Sequence, residues 1–438
     1  MVVRAQCRKG LAFVAGLALA SMSLAQGQSL TLTEALDRAR TSNGTVRAAF
    51  LNFEAAQANV GSAFSAFLPS VTARAERDIR RTERFTGFRG TTNDTIDSAF
   101  VDLSYRLLDN GSRRFTLDRA RANALGSEAD AYDTLRGTLF TVTNRFYDAL
   151  RASELLTVQQ RALERAQTIL DQTRRRANPP IEDVPRKDVF QAEADFQNTR
   201  VAFLAAKRRV TTSQADLRAI IAWSEGELPK LEDTDVALAD VSADAATLVK
   251  NGLQQRFDLV SLRQRVRAQQ ITVRSVRAAG GLTYNVDLSY RRQMAEDALQ
   301  SAALTFSAAL PLYDGKSARE ETRAAQLNLQ AVEANLAQQE RVARAEIEAT
   351  YEEVLQNAER QEAAQAALKA AQVNFEAAVS AQSKGAGTLI EVLTAQVSLA
   401  TAESNAVEAR FDLKISQIRL RLVTGAPLPG EPALRAAR

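Results

Sequence analysis

The feature that most constrains this chain is a set of short alternating segments set in sequence that otherwise reads as long helix. In LTYNVDLSY, Leu282, Tyr284, Val286, Leu288 and Tyr290 alternate without a break with Thr283, Asn285, Asp287 and Ser289. A period of two gives a strand one apolar and one polar face. The pattern spans about 282–291 and recurs at about 301–310, where Ala302, Leu304, Phe306, Ala308 and Leu310 alternate with Ser301, Thr305 and Ser307. At about 98–107, Ala99, Val101, Leu103, Tyr105 and Leu107 alternate with Ser98, Asp102, Ser104 and Arg106, broken only by Phe100. A weaker fourth segment, about 70–78, has Arg74 and Glu76 on one face and only Val71, Ala73 and Ala75 on the other. Each has nine or ten residues, the length at which a tilted strand crosses a bilayer. Polar loops, RRTERFTGFRGTTND and RQMAEDALQ, join them in pairs.

The rest is helical. Residues 110–177 and 314–383 contain no proline and almost no glycine, so each predicts a helix of roughly 100 Å at 1.5 Å per residue. Leu135, Leu139, Val142, Phe146 and Ala149 follow the 4-3-4-3 spacing of a coiled-coil seam, and Val332, Leu336, Ala343, Ile347, Tyr351 and Val354 nearly repeat it. ANPPIEDVP and KGAGT break the pattern, turning each long helix back into a shorter partner at 186–222 and 388–424.

The chain is written twice. LLDNGSRR at 107–114 resembles PLYDGKSA at 311–318 at an offset of 204, RFYDAL matches ATYEEV at the same offset, and DVFQAEAD matches EVLTAQVS at 203. VGSAFSAFLPSV matches VRSVRAAGGLTY at 213, which places about nine extra residues between the strands of the first copy. The expected organisation is a signal peptide (1–25), a first repeat (26–235), a second repeat (236–425) and a C-terminal tail (426–438). The signal shows a basic start at Arg4, Arg8 and Lys9, an apolar run and Ser23-Leu24-Ala25 before the expected cleavage, with Ala20 as the alternative.

Composition excludes several classes. Histidine is absent, and the single cysteine, Cys7, lies in the signal, which removes the usual general base, zinc ligands and thiol nucleophiles. YDGKS resembles the end of a phosphate-binding loop, but Leu310 stands where the opening glycine belongs. Neither an enzyme, a cofactor nor a metal site is expected. Three of the net four positive charges lie in the signal, so no nucleic-acid partner is indicated. No apolar run of the mature chain is long enough for a membrane helix, so any membrane entry requires a closed barrel. Four strands cannot close one alone, and an oligomer follows. A secreted coiled-coil scaffold is the alternative, but it leaves the alternating strands unexplained.

SLTLTEALDRARTSN, the turns LLDNGSRR and PLYDGKSAR, and KGAGTLIEVLTAQVSLATAE together resemble the TolC-type outer membrane efflux protein family over essentially the whole mature chain. The resemblance implies a mainly α chain with a membrane β-barrel: a homotrimer with a twelve-stranded barrel and a long coiled-coil α-helical barrel extending through the periplasm. It implies an exit duct of a tripartite efflux pump or type I secretion system, sited in the bacterial outer membrane, with a periplasmic adaptor (membrane fusion) protein and an inner-membrane transporter as partners. Tyr284, Val286, Leu288, Leu304, Phe306, Val101 and Leu103 would then face outer-membrane lipid.

The family closes its tunnel at the helical tips, often with acids near the lumen. The matching positions here are Glu391 and Asp188, with Thr394 where a second acid can stand. Thr388-Leu-Ile-Glu391 also reads as a capping box, which would occupy Glu391 with backbone amides instead. Tyr147 and Tyr351, at matched places on the long helices, are candidates either for gating hydrogen bonds or for seam packing. Arg176, Pro180, Glu182, Lys384, Gly385 and Gly387 mark the tips where an adaptor would dock, although PPIEDVPRK departs from the family's glycine-containing pattern.

Overall fold

The computed structural model describes residues 29–84, 90–178, 185–224, 226–233, 244–294 and 299–431. The expected signal peptide lies outside them. So do Pro180 and Glu182.

Helices α1 (Leu32–Ser42) and α2 (Gly44–Ser65) lead into strands β2 (Ser70–Arg84) and β3 (Gly90–Leu108), then α3 (Ser112–Ala177) and α4 (Arg186–Ile220). The order recurs as α5 (Ala245–Gln255), α6 (Phe257–Ala278), β5 (Thr283–Gln293), β6 (Gln300–Ala309), α7 (Ser317–Ser383) and α8 (Leu389–Val423). Corresponding helices have nearly equal lengths: 11 and 11, 22 and 22, 66 and 67, 35 and 35 residues. Two short strands, β1 (Leu30–Thr31) and β4 (Leu231–Glu232), pair in parallel.

β2, β3, β5 and β6 form one antiparallel sheet in that order, with β2 and β6 as free edges. The first hairpin is longer than its hydropathy predicts. β2 has 15 residues and β3 has 19, so most of the expected polar loop continues the ladder. Backbone pairing is indifferent to side-chain polarity, and Arg77 and Asp97, directly opposed, hold that extension with two hydrogen bonds of 2.7 and 2.8 Å. Phe100, the break in the alternation, lies on the polar face between two cross-strand arginines. Arg74 and Arg291 sit 4.6 and 5.1 Å from its ring centroid, so cation–π contacts replace an apolar neighbour.

The junctions from strand to long helix share one device. At the first, Asn110 and Gly111 have φ of 52° and 83°; at the second, Gly315 and Lys316 have φ of 66° and 77°. Asp109 then accepts from the backbone N–H of Gly111 and Arg113 (3.2 and 2.9 Å), and Asp314 from those of Lys316 and Ala318 (3.0 and 2.9 Å). Each carboxylate satisfies amides that the first turn leaves unpaired. Burial works against the Asp109 carboxylate, but the Arg113 amide and guanidinium and the Gly111 amide outweigh it and hold its pKa below the ordinary value. At Asp314 the Ala318 and Lys316 amides do the same. Asn110 also donates to the Leu282 carbonyl at 3.0 Å, joining the two hairpins; a Cβ on Gly281 would lie 2.1 Å from its Nδ2.

The helices form a layer in which α3 is central. It packs against α4 and α8 in its tip-ward half and against α2 and α6 in its strand-ward half, while α7 packs on α8 and α6. Leu135, Leu139, Val142, Phe146 and Ala149 of the α3 seam are all buried, against α1, the end of α4, and Phe411 and Ile418 of α8. In α7 the seam is buried at Ala343, Ile347 and Val354. α2 and α4 stack end to end: Asn43 caps α2 through its Oδ1 and donates from Nδ2 to the Ile220 carbonyl at 3.1 Å. The end of α8 similarly abuts the α5–α6 junction, where a Cβ on Gly425 would lie 2.7 Å from the Cβ of Gln255.

The chain beyond α8 is not a loose tail as far as Glu431. Leu428 is buried, and Arg136 of α3, itself buried, contacts the Glu431 carboxylate at 3.5 Å and donates to the carbonyls of Arg421 and Ala426. Replacing Arg136 with Met leaves Glu431 buried without its cation and should cost about 3–5 kcal/mol. Thermal unfolding checks this, with much of the loss recovered when Glu431→Gln is added. The two junction carboxylates are depressed, so their stabilisation is present above the ordinary aspartate pKa of 3.8 and is lost as pH falls through their lowered values. A D109N/D314N variant, which has no carboxylate to titrate at either junction, should therefore show a flatter decline of melting temperature between pH 4 and pH 2.

Candidate functional site

Two regions carry the candidate residues: the four-stranded sheet at one end of the chain and the helical tips at the other. In the sheet, Val71, Leu103, Leu288 and Leu304 are direct cross-strand neighbours, as are Tyr105, Val286 and Phe306, and Ala73, Val101, Tyr290 and Ala302. Directly opposed residues share a face. Tyr284, opposite Leu108 and Ala308 beyond a bulge at Arg106, completes this apolar face, which thus holds all seven residues expected there. Ser104, Asp287 and Thr305, and Asp102, Ser289 and Ala303, lie on the other. The apolar face is uncovered: Leu288 is 45 %, Leu304 59 % and Phe306 71 % exposed.

At the tips, four helices converge. Ile169 and Leu170 of α3, Ala192 and Phe196 of α4, Phe375 and Val379 of α7, and Leu389, Val392 and Leu393 of α8 make one apolar cluster. KGAGT turns α7 into α8: Gly385 has φ 74°, and Thr388 caps α8. The capping box is formed, with the Glu391 amide donating to Thr388 Oγ1 at 3.3 Å and the Thr388 amide donating to Glu391 Oε2 at 3.2 Å. Only one carboxylate oxygen is used in that cap, and the Glu391 side chain remains exposed. Thr394, one turn on, shares the exposed face of α8 and donates to the Ile390 carbonyl at 2.8 Å. Asp188 lies half-buried in the first turn of α4. Arg176 ends α3 half-buried; Lys384 and Gly385 are exposed, and Gly387 is half-buried.

The two tyrosines do not meet. Tyr147 is fully buried, with ring centroids of Phe146 and Phe411 each 6.0 Å away. Tyr351 lies half-buried at the edge of a separate cluster around Val249, Ile347 and Leu420.

A ladder of ion pairs between α3 and α8, which the sequence reading missed, joins the two halves. Asp412 of α8 accepts from Arg151 of α3 and Arg360 of α7, both at 2.9 Å. Arg410 pairs with Glu154, and Arg165 binds Glu403 with both terminal nitrogens at 3.2 and 2.8 Å. Nearest the tips, Gln396 donates to Asp195 of α4 at 3.2 Å, and burial raises the Asp195 pKa. Apart from Arg360 and Asp412, which are 52 positions apart, the partners lie more than 200 positions apart, and arginines and acids are so common on these helices that no local signal marks them.

Among the described residues, no helix is long and apolar enough to cross a membrane. Comparison with known proteins agrees with the arrangement. The profile of the family described as outer membrane efflux protein matches residues 35–222 and again 248–426. The outer membrane protein TolC of Vibrio cholerae is 23% identical over 403 residues, 90% of each chain, and the protein CyaE of Bordetella pertussis is 27% identical over 325 residues, 70% of this chain and 66% of that one. The solved structure of the Campylobacter jejuni CmeC outer membrane channel superposes with a TM-score of 0.79 at 18% identity, covering 91% of this chain and 86% of that one. With the family profile matched across both halves, this chain belongs to the outer membrane efflux protein family.

Proposed function

We propose that three copies of this chain close their sheets into one twelve-stranded barrel and their helical layers into one tunnel. The trimer would form the outer membrane exit duct of a tripartite efflux pump or type I secretion system. The observation that carries this reading is the four-stranded sheet with two unpaired edges and one bare apolar face, set on helices roughly 100 Å long. A sheet in lipid must pair every edge. Two copies would give eight strands, whose interior side chains nearly fill; three give twelve and leave a water-filled lumen.

The helical layer has the same need. α7, among the described residues, buries only five of its side chains and α4 two, against 22 on α3, so the outer helices of the layer lack neighbours that adjacent copies would supply. In the trimer the row through Leu288 faces lipid, and the row through Asp287 faces the lumen. Each copy is built from two repeats of one unit, the tunnel extends into the periplasm, and the signal peptide directs export.

Substrate enters from an inner-membrane transporter through a periplasmic adaptor that docks at the tips around Arg176, Lys384, Gly385 and Gly387. Glu391 and Thr394 line the aperture. The cap leaves one Glu391 oxygen for the lumen, and three such carboxylates in a narrow pore would concentrate negative potential and attract cations. Asp188 adds to that ring. Tyr147 serves as core packing, and Tyr351, at a cluster edge, is the better placed of the two to exchange partners when the tunnel opens.

Purified full-length protein should run as a heat-modifiable oligomer and open small cation-selective channels in planar bilayers; a detergent-independent soluble protein without conductance overturns the proposal. Leu288→Arg turns a charge toward lipid at a cost of about 2–4 kcal/mol near mid-membrane and should block insertion, read by outer-membrane fractionation. Glu391→Gln should leave assembly intact and weaken block by divalent cations; unchanged block assigns Glu391 to the helix cap alone.

A further inference from the structure

One surface between the sheet and the level of α5 is not used by the duct itself. A groove of about 380 Å³ lies between α3 and α6, lined by Asp118, Arg121, Leu125, Arg267, Ile271 and Arg274, among others. Its floor is apolar, and Leu125 is 43 % exposed within it. Its rim is cationic. Arg267 and Arg274, with Arg277 one turn further on, lie exposed on one side of α6, and none makes an ion pair among the described residues. On α3, Arg114 and Arg121 share a face, and both lean on Asp118, at 3.9 and 3.4 Å. Asp118 is the sole carboxylate lining the groove.

Position gives this patch its meaning. α6 ends at Ala278 and β5 begins at Thr283. At 1.5 Å per residue, Arg277, Arg274 and Arg267 stand roughly 2, 6 and 16 Å below the end of that helix, and an arginine stem can carry its guanidinium several ångströms further toward the membrane. The side of the layer is also defined. Further along α3 the same face carries Leu135, Leu139 and Val142, which pack in the core with α1, and Arg263 of α6 donates to the Leu253 carbonyl of α5 at 2.6 Å. The patch therefore shares its face with α1 and α5. In a closed tunnel those added helices sit outside, where three copies leave the lumen clear, and the arginines then lie directly beneath the lipid-facing row of the barrel.

We infer that the arginine rim of this groove binds headgroup phosphates of anionic phospholipid in the periplasmic leaflet, with Arg277 and Arg274 nearest the membrane and Arg267 further below. Basic residues just outside a membrane-spanning segment attract anionic headgroups over a short, salt-sensitive range. The rim's place at the foot of the lipid-facing row favours a membrane headgroup over a free anion. This inference rests on the duct reading, because it takes the α1 and α5 side as outer.

The test uses delipidated full-length oligomer in neutral detergent. Its thermal dissociation is followed with added phosphatidylglycerol, cardiolipin or phosphatidylcholine. Wild type and Arg119→Gln, a control on the opposite side of α3, should gain several degrees from the two anionic lipids and little from phosphatidylcholine. R267Q/R274Q/R277Q should lose most of that gain while keeping its conductance, and high salt should erase the gain in wild type. Equal stabilisation by phosphatidylcholine, or an undiminished gain in the triple variant, overturns the inference. A triple variant with altered ion selectivity and an unchanged lipid response places the patch in the lumen and likewise overturns it. Failure of the wild type to form a heat-modifiable oligomer is a separate result, which removes the duct reading first.

Discussion

Everything in this structure depends on the unpaired backbone at the edges of one small sheet. β2 and β6 each present a row of amides and carbonyls that no other strand among the described residues pairs with. In water such edges are an aggregation hazard; in hydrocarbon they are not tolerated. On the duct reading proposed above, other copies of the chain supply what the open four-stranded sheet and its bare apolar face lack. In that proposed assembly the helices inherit the stoichiometry that closure of the sheet sets. The Asp109 and Asp314 junctions fasten each hairpin to the long helix that follows, so the sheet cannot close without the helices also coming round.

The helical layer is economical in side-chain volume. Alanine is abundant along α3, at Ala122, Ala124, Ala129, Ala131, Ala149, Ala152, Ala162 and Ala166, and all of these are buried. Small residues let backbones approach, and the large residues gather at a few levels: the α1 girdle around Phe146 and Phe411, the α5 cluster around Ile347, and the tip cluster around Val392. Between the girdle and the tips the contact of α3 with α8 combines small buried side chains such as Ala152, Ala162, Ala402 and Ala409 with paired charges.

Much of this was legible from residue order. The period of two at 283–290 and the 4-3-4-3 seam at 135–149 both survive as built, because each is a local consequence of one face being apolar. The polar half of the β2–β3 hairpin was not legible, since both of its faces are hydrophilic and only backbone pairing extends it. Phe100 looked like an error in the pattern until its flanking arginines came from other strands. The capping box at Thr388 was readable because its partners are three residues apart. The Arg165–Glu403 and Arg136–Glu431 pairs were not, because each rests on contacts between segments more than 200 positions apart. Tyr147 and Tyr351, matched by the duplication, ended in different clusters, which shows that equivalent positions in two copies need not share an environment.

The wall of this molecule has uneven continuity. α3 and α7 run unbroken from sheet to tip, but beside them α2 meets α4, and α6 meets α8, end against end at mid-height. The first of these meetings is bridged by the Asn43 side chain. A continuous helix resists bending along its whole length, whereas the meeting of α2 and α4 has no backbone across it and is held by the Asn43 bond and by packing around Val46, Phe50, Leu217 and Ile221. Compliance is thereby concentrated at one level, the level wrapped by α1, α5 and the β1–β4 pair. Any twist of the tip half against the barrel half at that level is taken up by bending of α3 and α7, the two helices that cross it, and the short outer elements form a collar around them.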